Sequence, residues 1–166
     1  MSQEAHECVG KGLDLLKRGL SSFVEAQLES KLTGHWKIRV FKRIPPVKNL
    51  VENGEIVWDV YFLLKTMMVF WGEAFNDLKH PARSYVGELY AIRNGWAHQR
   101  NFTHEDADRA IDTMRRLLEI VGKKETVVKE ILEELDRLRE EMKPVIPEED
   151  NSASPLQWKS YDLKTR

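Results

Sequence analysis

Apolar positions in this chain recur at spacings of three and four through most of its length, and the breaks in that rhythm divide it into helices. Residues 3–32 carry Val9, Leu13, Leu16, Leu20, Phe23, Val24, Leu28 and Leu32 as one stripe. Gly34 follows as a left-handed cap after Thr33. Gly10, Gly12 and Gly19 weaken the early turns, each by about 1 kcal/mol against alanine. Residues 35–54 break the rhythm. Trp36, Ile38, Val40 and Ile44 could alternate as a short strand, but Pro45-Pro46 and Asn53-Gly54 punctuate the segment. The expectation there is a loop with one short helix around residues 47–52.

A second long helix is predicted over residues 55–78. Trp58, Phe62, Leu63, Met67, Phe70, Trp71 and Phe75 nearly encircle it, which marks it as the central core helix. His80-Pro81 ends it, because a residue before proline is pushed out of helical geometry. A third helix starts near Pro81, sends Val86, Leu89, Tyr90 and Ile92 inward, and ends around residues 97–99. A fourth opens with Thr103 as N-cap and acidic residues in its first turn. It buries Ala107, Ala110, Ile111, Met114, Leu117, Leu118 and Val121, and closes at Gly122. A fifth, over residues 125–142, aligns Val128, Ile131, Leu135, Leu138 and Met142 on a seam suited to covering the first helix. The predicted architecture is all-α, an up-down bundle of about five helices.

Composition narrows the class. The 166 residues, 42% hydrophobic and 32% charged, suit one helical domain over residues 1–147. Residues 148–166 are expected to form a solvated linker and a tail, with Trp158 and Tyr161, that could begin a further domain. The most apolar stretch, residues 57–71, is interrupted by Asp59 and Lys65 and is too short to cross a bilayer. A polar first dozen residues lacks a secretory apolar core, and the single Cys8 fits a reducing cytoplasm. Net charge is −1, so no global field steers the chain to nucleic acid. Walker A, dinucleotide-binding and His-Glu-x-x-His patterns are absent from the sequence. His104 and Asp108 share a helix face without an evident third metal ligand, so neither a metal nor another cofactor is expected.

Candidate chemistry concentrates in Arg93-Asn94-Gly95-Trp96-Ala97-His98. Asn94 and His98 share a helical face, and Arg93 lies about 140° from His98, within reach of a guanidinium. Trp96 and Ile92 can anchor that helix end in the core. An Arg fork matches phosphate oxygens, and imidazole suits proton transfer near neutrality. Together they could serve RNA transesterification, in which the 2′-hydroxyl is the nucleophile and a cation stabilises charge at phosphorus. The same pair could equally cap a helix or form salt bridges. Arg83 and Arg100 flank the motif as secondary RNA-binding candidates. Lys37, Arg39, Lys42, Arg43 and Lys48 stand near Trp36 and Phe41 without an intervening acid. They form either a surface for phosphates and bases or a solvated basic segment whose aromatics tuck into the core.

The segment resembles the Arg-x4–6-His signature of the HEPN superfamily, in which a polar residue often follows the Arg. Its context is similar too, from Trp58-Asp59 through Phe70-Trp71 and Phe75, then Glu88-Leu89-Tyr90, and on through Phe102-Thr103-His104-Glu105-Asp106-Ala107 to Leu117-Leu118. That context resembles the branch found attached to a eukaryotic nuclear mRNA-surveillance endonuclease and at the start of large bacterial ATPase or helicase proteins of defence type. The resemblance implies a homodimer whose two motifs face each other across a composite cleft. Arg93 would then polarise the scissile phosphate, His98 transfer protons and Asn94 orient one of them. It implies a metal-independent endoribonuclease of a defence or toxin system, or else a non-catalytic interaction or RNA-sensing module tethered to an ATPase or helicase. Relatives paired with antitoxins often carry Tyr two residues after the His, where this chain has Arg100.

Overall fold

A computed structural model describes residues 3–45, 51–122 and 125–143. Its helices are α1 (Gln3–Lys31), α2 (Trp36–Arg43), α3 (Val60–Val69), α4 (Ala82–Ala97), α5 (His104–Gly122) and α6 (Thr126–Glu141). A minimal hairpin of β1 (Val51–Glu52) and β2 (Glu55–Ile56) precedes α3, and a π-helical turn, Trp71–Phe75, follows it. The class is all-α, as the periodicity predicts. No helix among the described residues is long and apolar enough to cross a membrane. The expected linker and tail, residues 148–166, and the basic Lys48 lie outside the described residues.

The centre of the bundle is α1, which packs against α3, α4, α5, α6 and the π turn. Its predicted stripe is buried throughout, with only Phe23 half-exposed. The glycines that weaken α1 locally permit this central position. A Cβ on Gly12 would stand 2.4 Å from Ile111 Cδ1, and one on Gly19 would stand 2.6 Å from Leu118 Cδ2. Helix propensity is given up so that α5 can approach the α1 backbone. The expectation that residues 55–78 form the central helix is therefore corrected.

That segment is also not one helix. Asn53 and Gly54 both adopt positive φ, 52° and 80°, and close the antiparallel pairs Val51–Ile56 and Glu52–Glu55. An Asn-Gly turn with both central residues left-handed matches the twist of a hairpin. The chain stays extended to Asp59, whose carboxylate accepts the Phe62 N–H at 2.7 Å and so starts α3. Of the short helix expected around residues 47–52, Val51 and Glu52 are instead strand, and residues 47–50 lie outside the described residues.

Residues 36–43, expected as loop or strand, are helical. Here Val40 is buried, and Phe41 stacks on Phe62 with centroids 6.2 Å apart. The positions four apart, Trp36 and Val40, turn inward together, a helical rather than alternating pattern.

Local signals hold elsewhere. Gly34 has φ +83° just beyond α1, as its capping role requires. Thr103 and Asp106 form a reciprocal box at the start of α5: Thr103 N–H donates to Asp106 Oδ2 at 2.9 Å, and Asp106 N–H donates to Thr103 Oγ1 at 3.1 Å. The Thr103 backbone bond holds the Asp106 carboxyl below its ordinary range. Helix α6 covers both α1 and α5 with Val128, Ile131 and Leu135, and Arg139 ties it to Asp108 at 2.6 Å and Asp112 at 2.9 Å.

Candidate functional site

Helix α4 presents the motif at its C-terminal end, and three neighbours fix that end. The first is α1. Trp96 Nε1–H donates to the His6 carbonyl at 3.1 Å, while His6 Nε2 lies 3.1 Å from the Trp96 carbonyl. The two rings stack with centroids 5.5 Å apart, and Gly10 leaves the space: a Cβ there would meet the Trp96 ring at 3.0 Å. Trp96 thus anchors the motif, as its spacing suggests. His6, which as part of His6-Glu7-Cys8 is too sparse for a zinc site, is its partner.

The second is the chain reversal after α4. His98 is the C-cap residue, with its N–H on the Asn94 carbonyl at 3.1 Å. Gln99 takes the left-handed conformation, φ +58°, and donates to the Trp96 carbonyl at 3.1 Å. Arg100 N–H then reaches the Gly95 carbonyl at 2.9 Å, completing a Schellman cap. This holds the exposed His98 imidazole at the helix end. A non-glycine residue in that conformation costs about 1 kcal/mol. Gln99→Gly is expected to stabilise the chain by about that amount, read as a higher urea midpoint with unchanged slope.

The third neighbour is α3. The Arg93 guanidinium lies over the Tyr61 ring, 4.8 Å from its centroid, and its Nε is buried without a hydrogen-bond partner among the described residues. Tyr61 and Tyr90 have centroids 5.5 Å apart and hydroxyls separated by 3.5 Å. Lys65 Nζ stands 5.4 Å from the Tyr90 ring centroid. Their shared hydrogen bond shifts the two hydroxyls in opposite directions, Tyr61 up and Tyr90 down. Burial opposes the shift at Tyr90, but Asn94 and Lys65 add to it. Periodicity places Tyr90 in the core; in the structure it is half-buried and belongs to this cluster.

Among the described residues no hydrogen bond joins the side chains of Arg93, Asn94 and His98. Arg93 is turned toward α3, Asn94 toward Tyr90, and His98 stands at the exposed end of the helix. Arg100 folds back over Gly95, with its guanidinium 5.5 Å from the Phe102 ring centroid and 3.8 Å from Asp106. Arg83 is exposed in the first turn of α4. At 1.5 Å per residue it lies ~22 Å from His98 along the axis, so one chain does not bring it to the motif.

The basic segment is largely neutralised. Glu73, on the π turn, pairs with Arg39 at 2.8 Å and with Arg43, and Glu55 pairs with Lys37 at 2.9 Å. Arg43 also lies 4.8 Å from the Phe70 ring centroid. Lys42 is exposed and makes no ion pair among the described residues. Acids distant in sequence supply the countercharge that the local composition lacks.

The bundle and this helix end define a class: helical domains that carry an Arg-Asn…His motif on a capped helix terminus. The chain belongs to the Swt1-like HEPN family, whose model matches residues 11–122, well over half its length. No curated protein and no solved structure matches the chain.

Proposed function

We propose that this chain is a metal-independent endoribonuclease domain that cleaves RNA at a site built from Arg93, Asn94 and His98. One observation carries the proposal. Arg93, with a partnerless buried Nε and no carboxylate partner among the described residues, shares a helix end with an exposed, backbone-anchored histidine. In the reaction the RNA 2′-oxygen attacks phosphorus, the 2′-proton leaves to a base, and the P–O5′ bond breaks as the 5′-oxygen gains a proton. The products are a 2′,3′-cyclic phosphate and a 5′-hydroxyl. Arg93 neutralises the charge building on the phosphoryl oxygens, Asn94 orients, and His98 transfers protons.

One imidazole cannot be base and acid at once, which favours a homodimer whose two His98 side chains share the tasks across a composite cleft. The setting we favour is a cytoplasmic defence or toxin system, with an ATPase or helicase module or an antitoxin as partner. The test is incubation of single-stranded RNA with purified protein in EDTA. Cleavage with cyclic-phosphate ends is expected, and DNA should remain intact because it lacks the nucleophile. Intact RNA at every dimer concentration sinks the proposal.

The charge distribution favours one alternative. With a net charge of −1 and three cations of α2 already paired with Glu55 and Glu73, the chain offers RNA little general attraction. A non-catalytic interaction or RNA-sensing module is consistent with that, and would bind RNA through Arg93 without cutting it.

A further inference from the structure

Many cations of the described residues meet carboxylates: Arg109 meets Glu88 at 2.7 Å, Arg139 meets Asp108 and Asp112, and Lys31 meets Asp77 at 3.1 Å. Others, such as Lys42, Arg83 and Lys129, are exposed to solvent without such a partner. Lys65 and Arg93 also lack one, but both are half-buried. Each lies over a tyrosine ring instead, and no carboxylate of the described residues pairs with either. Asp59, at the start of the same helix α3, accepts the Phe62 N–H on Oδ1 at 2.7 Å; its charge is felt at Tyr61, but it forms no ion pair with Lys65 or Arg93. Cation–ring contacts of this kind orient a positive charge without cancelling it. Two uncompensated cations thus flank a touching pair of tyrosine hydroxyls, on a face made jointly by α3 and α4.

We propose that the RNA site extends onto α3, where Lys65 and the Tyr90 hydroxyl grip a phosphate of the strand next to the one held by Arg93. The inference rests on the RNA reading above and adds Lys65, Tyr61 and Tyr90 to it. The chemistry is that of a phosphodiester cradle. Lys65 supplies a point charge; Tyr90 turns its O–H from Tyr61, 3.5 Å away, to the phosphate, while the Tyr61 O–H donates back to the Tyr90 oxygen and the Tyr61 ring holds the Arg93 guanidinium. The lowered Tyr90 hydroxyl is what such surroundings produce: donors and a cation gathered around one oxygen also suit a phosphate oxygen there. No covalent step is asked of these residues, which bind and position.

The experiment measures binding apart from cleavage. The probe is a fluorescent oligoribonucleotide carrying 2′-O-methyl groups throughout, which removes the nucleophile, and anisotropy is followed across a salt series. Lys65→Gln is expected to weaken binding about tenfold, the size of one charge-assisted contact. It should also lower the salt slope by about one. Lys65→Arg should restore most of the affinity. Tyr90→Phe, nearly isosteric and hence safe for the fold, is expected to weaken binding about threefold at an unchanged melting temperature. Lys129→Gln, an exposed lysine on α6, serves as the neutral comparison. If Lys65→Gln and Tyr90→Phe bind with wild-type affinity and slope while Arg93→Ala weakens binding, the extension onto α3 is wrong and the RNA reading survives. If wild-type protein does not bind the probe, both fall together.

Discussion

Replacing His98 by alanine is expected to lower the rate of RNA cleavage by ~10²–10⁴-fold, the range ascribed to a positioned general acid or base. The structure makes this a clean experiment. The imidazole is exposed and accepts no structural hydrogen bond among the described residues, whereas the bonds that build the helix end are backbone bonds of His98, Gln99 and Arg100. Alanine keeps all of them, so the melting temperature should hold while activity disappears. Arg93→Lys gives the matching result at the phosphate. It keeps a positive charge but loses the planar fork, and cleavage should fall by about two orders of magnitude. Rates are best compared in single-turnover experiments with excess protein in EDTA. A His98→Ala chain that cuts at the wild-type rate removes His98 from the chemistry. The motif would then be read as a capped helix terminus.

The largest structural effect is expected at Trp96. Trp96→Ala removes the ring that fills the space over Gly10, its stack on His6 and its Nε1–H bond to the His6 carbonyl. Full burial of a tryptophan corresponds to about 3–5 kcal/mol on truncation. Trp96 is half-buried, so about 3 kcal/mol is expected, measured by urea unfolding. The consequence for function is indirect but sharp. The end of α4 is no longer tied to α1, His98 loses its fixed position, and cleavage should decline even at temperatures where the chain stays folded. Trp96→Phe is the milder change: it keeps an aromatic ring but loses the hydrogen bond and the indole edge nearest Gly10, so its stability should fall between wild type and Trp96→Ala. A Trp96→Ala chain that is as stable as wild type would show that the His6–Trp96 clasp does not hold the motif.

Both predictions depend on features of different visibility in the sequence. The apolar stripe of α1, the Gly34 stop, the Thr103 cap and the buried face of α5 are local: spacing and capping chemistry act within a few residues, so the sequence carries them directly. The hairpin at Asn53-Gly54 was local too. Its strands are only two residues each, too short to show alternation, and the long apolar run after them reads naturally as continuous helix. Asp59 looked like an interruption of that run, yet it is the cap that begins α3. For the site, Arg93, Asn94 and His98 were visible as a motif at a helix end. Lys65, Tyr61 and Tyr90 were not, because Tyr90 fits the apolar face of its own helix and Tyr61 and Lys65 sit in another.

By itself, then, the sequence determined that this protein is helical and that its motif lies at the end of one helix; the clasp of Trp96 on His6 ties that end to α1 and belongs to the packed bundle. Periodicity and capping express forces between neighbours in the chain, and those forces survive almost any tertiary arrangement. Tertiary structure alone decided which helix stands at the centre, because the close approach of α5 to Gly12 and Gly19 is a matter of space rather than propensity. It also decided that Glu73 and Glu55 quiet the basic helix α2, and that two tyrosines bring uncompensated Lys65 and Arg93 to one face. Charge and hydrogen bonding act through space between residues far apart in sequence. The motif's electrostatic surroundings are therefore a property of the packed bundle, and they are where the proposed chemistry of Arg93 and His98 is to be tested.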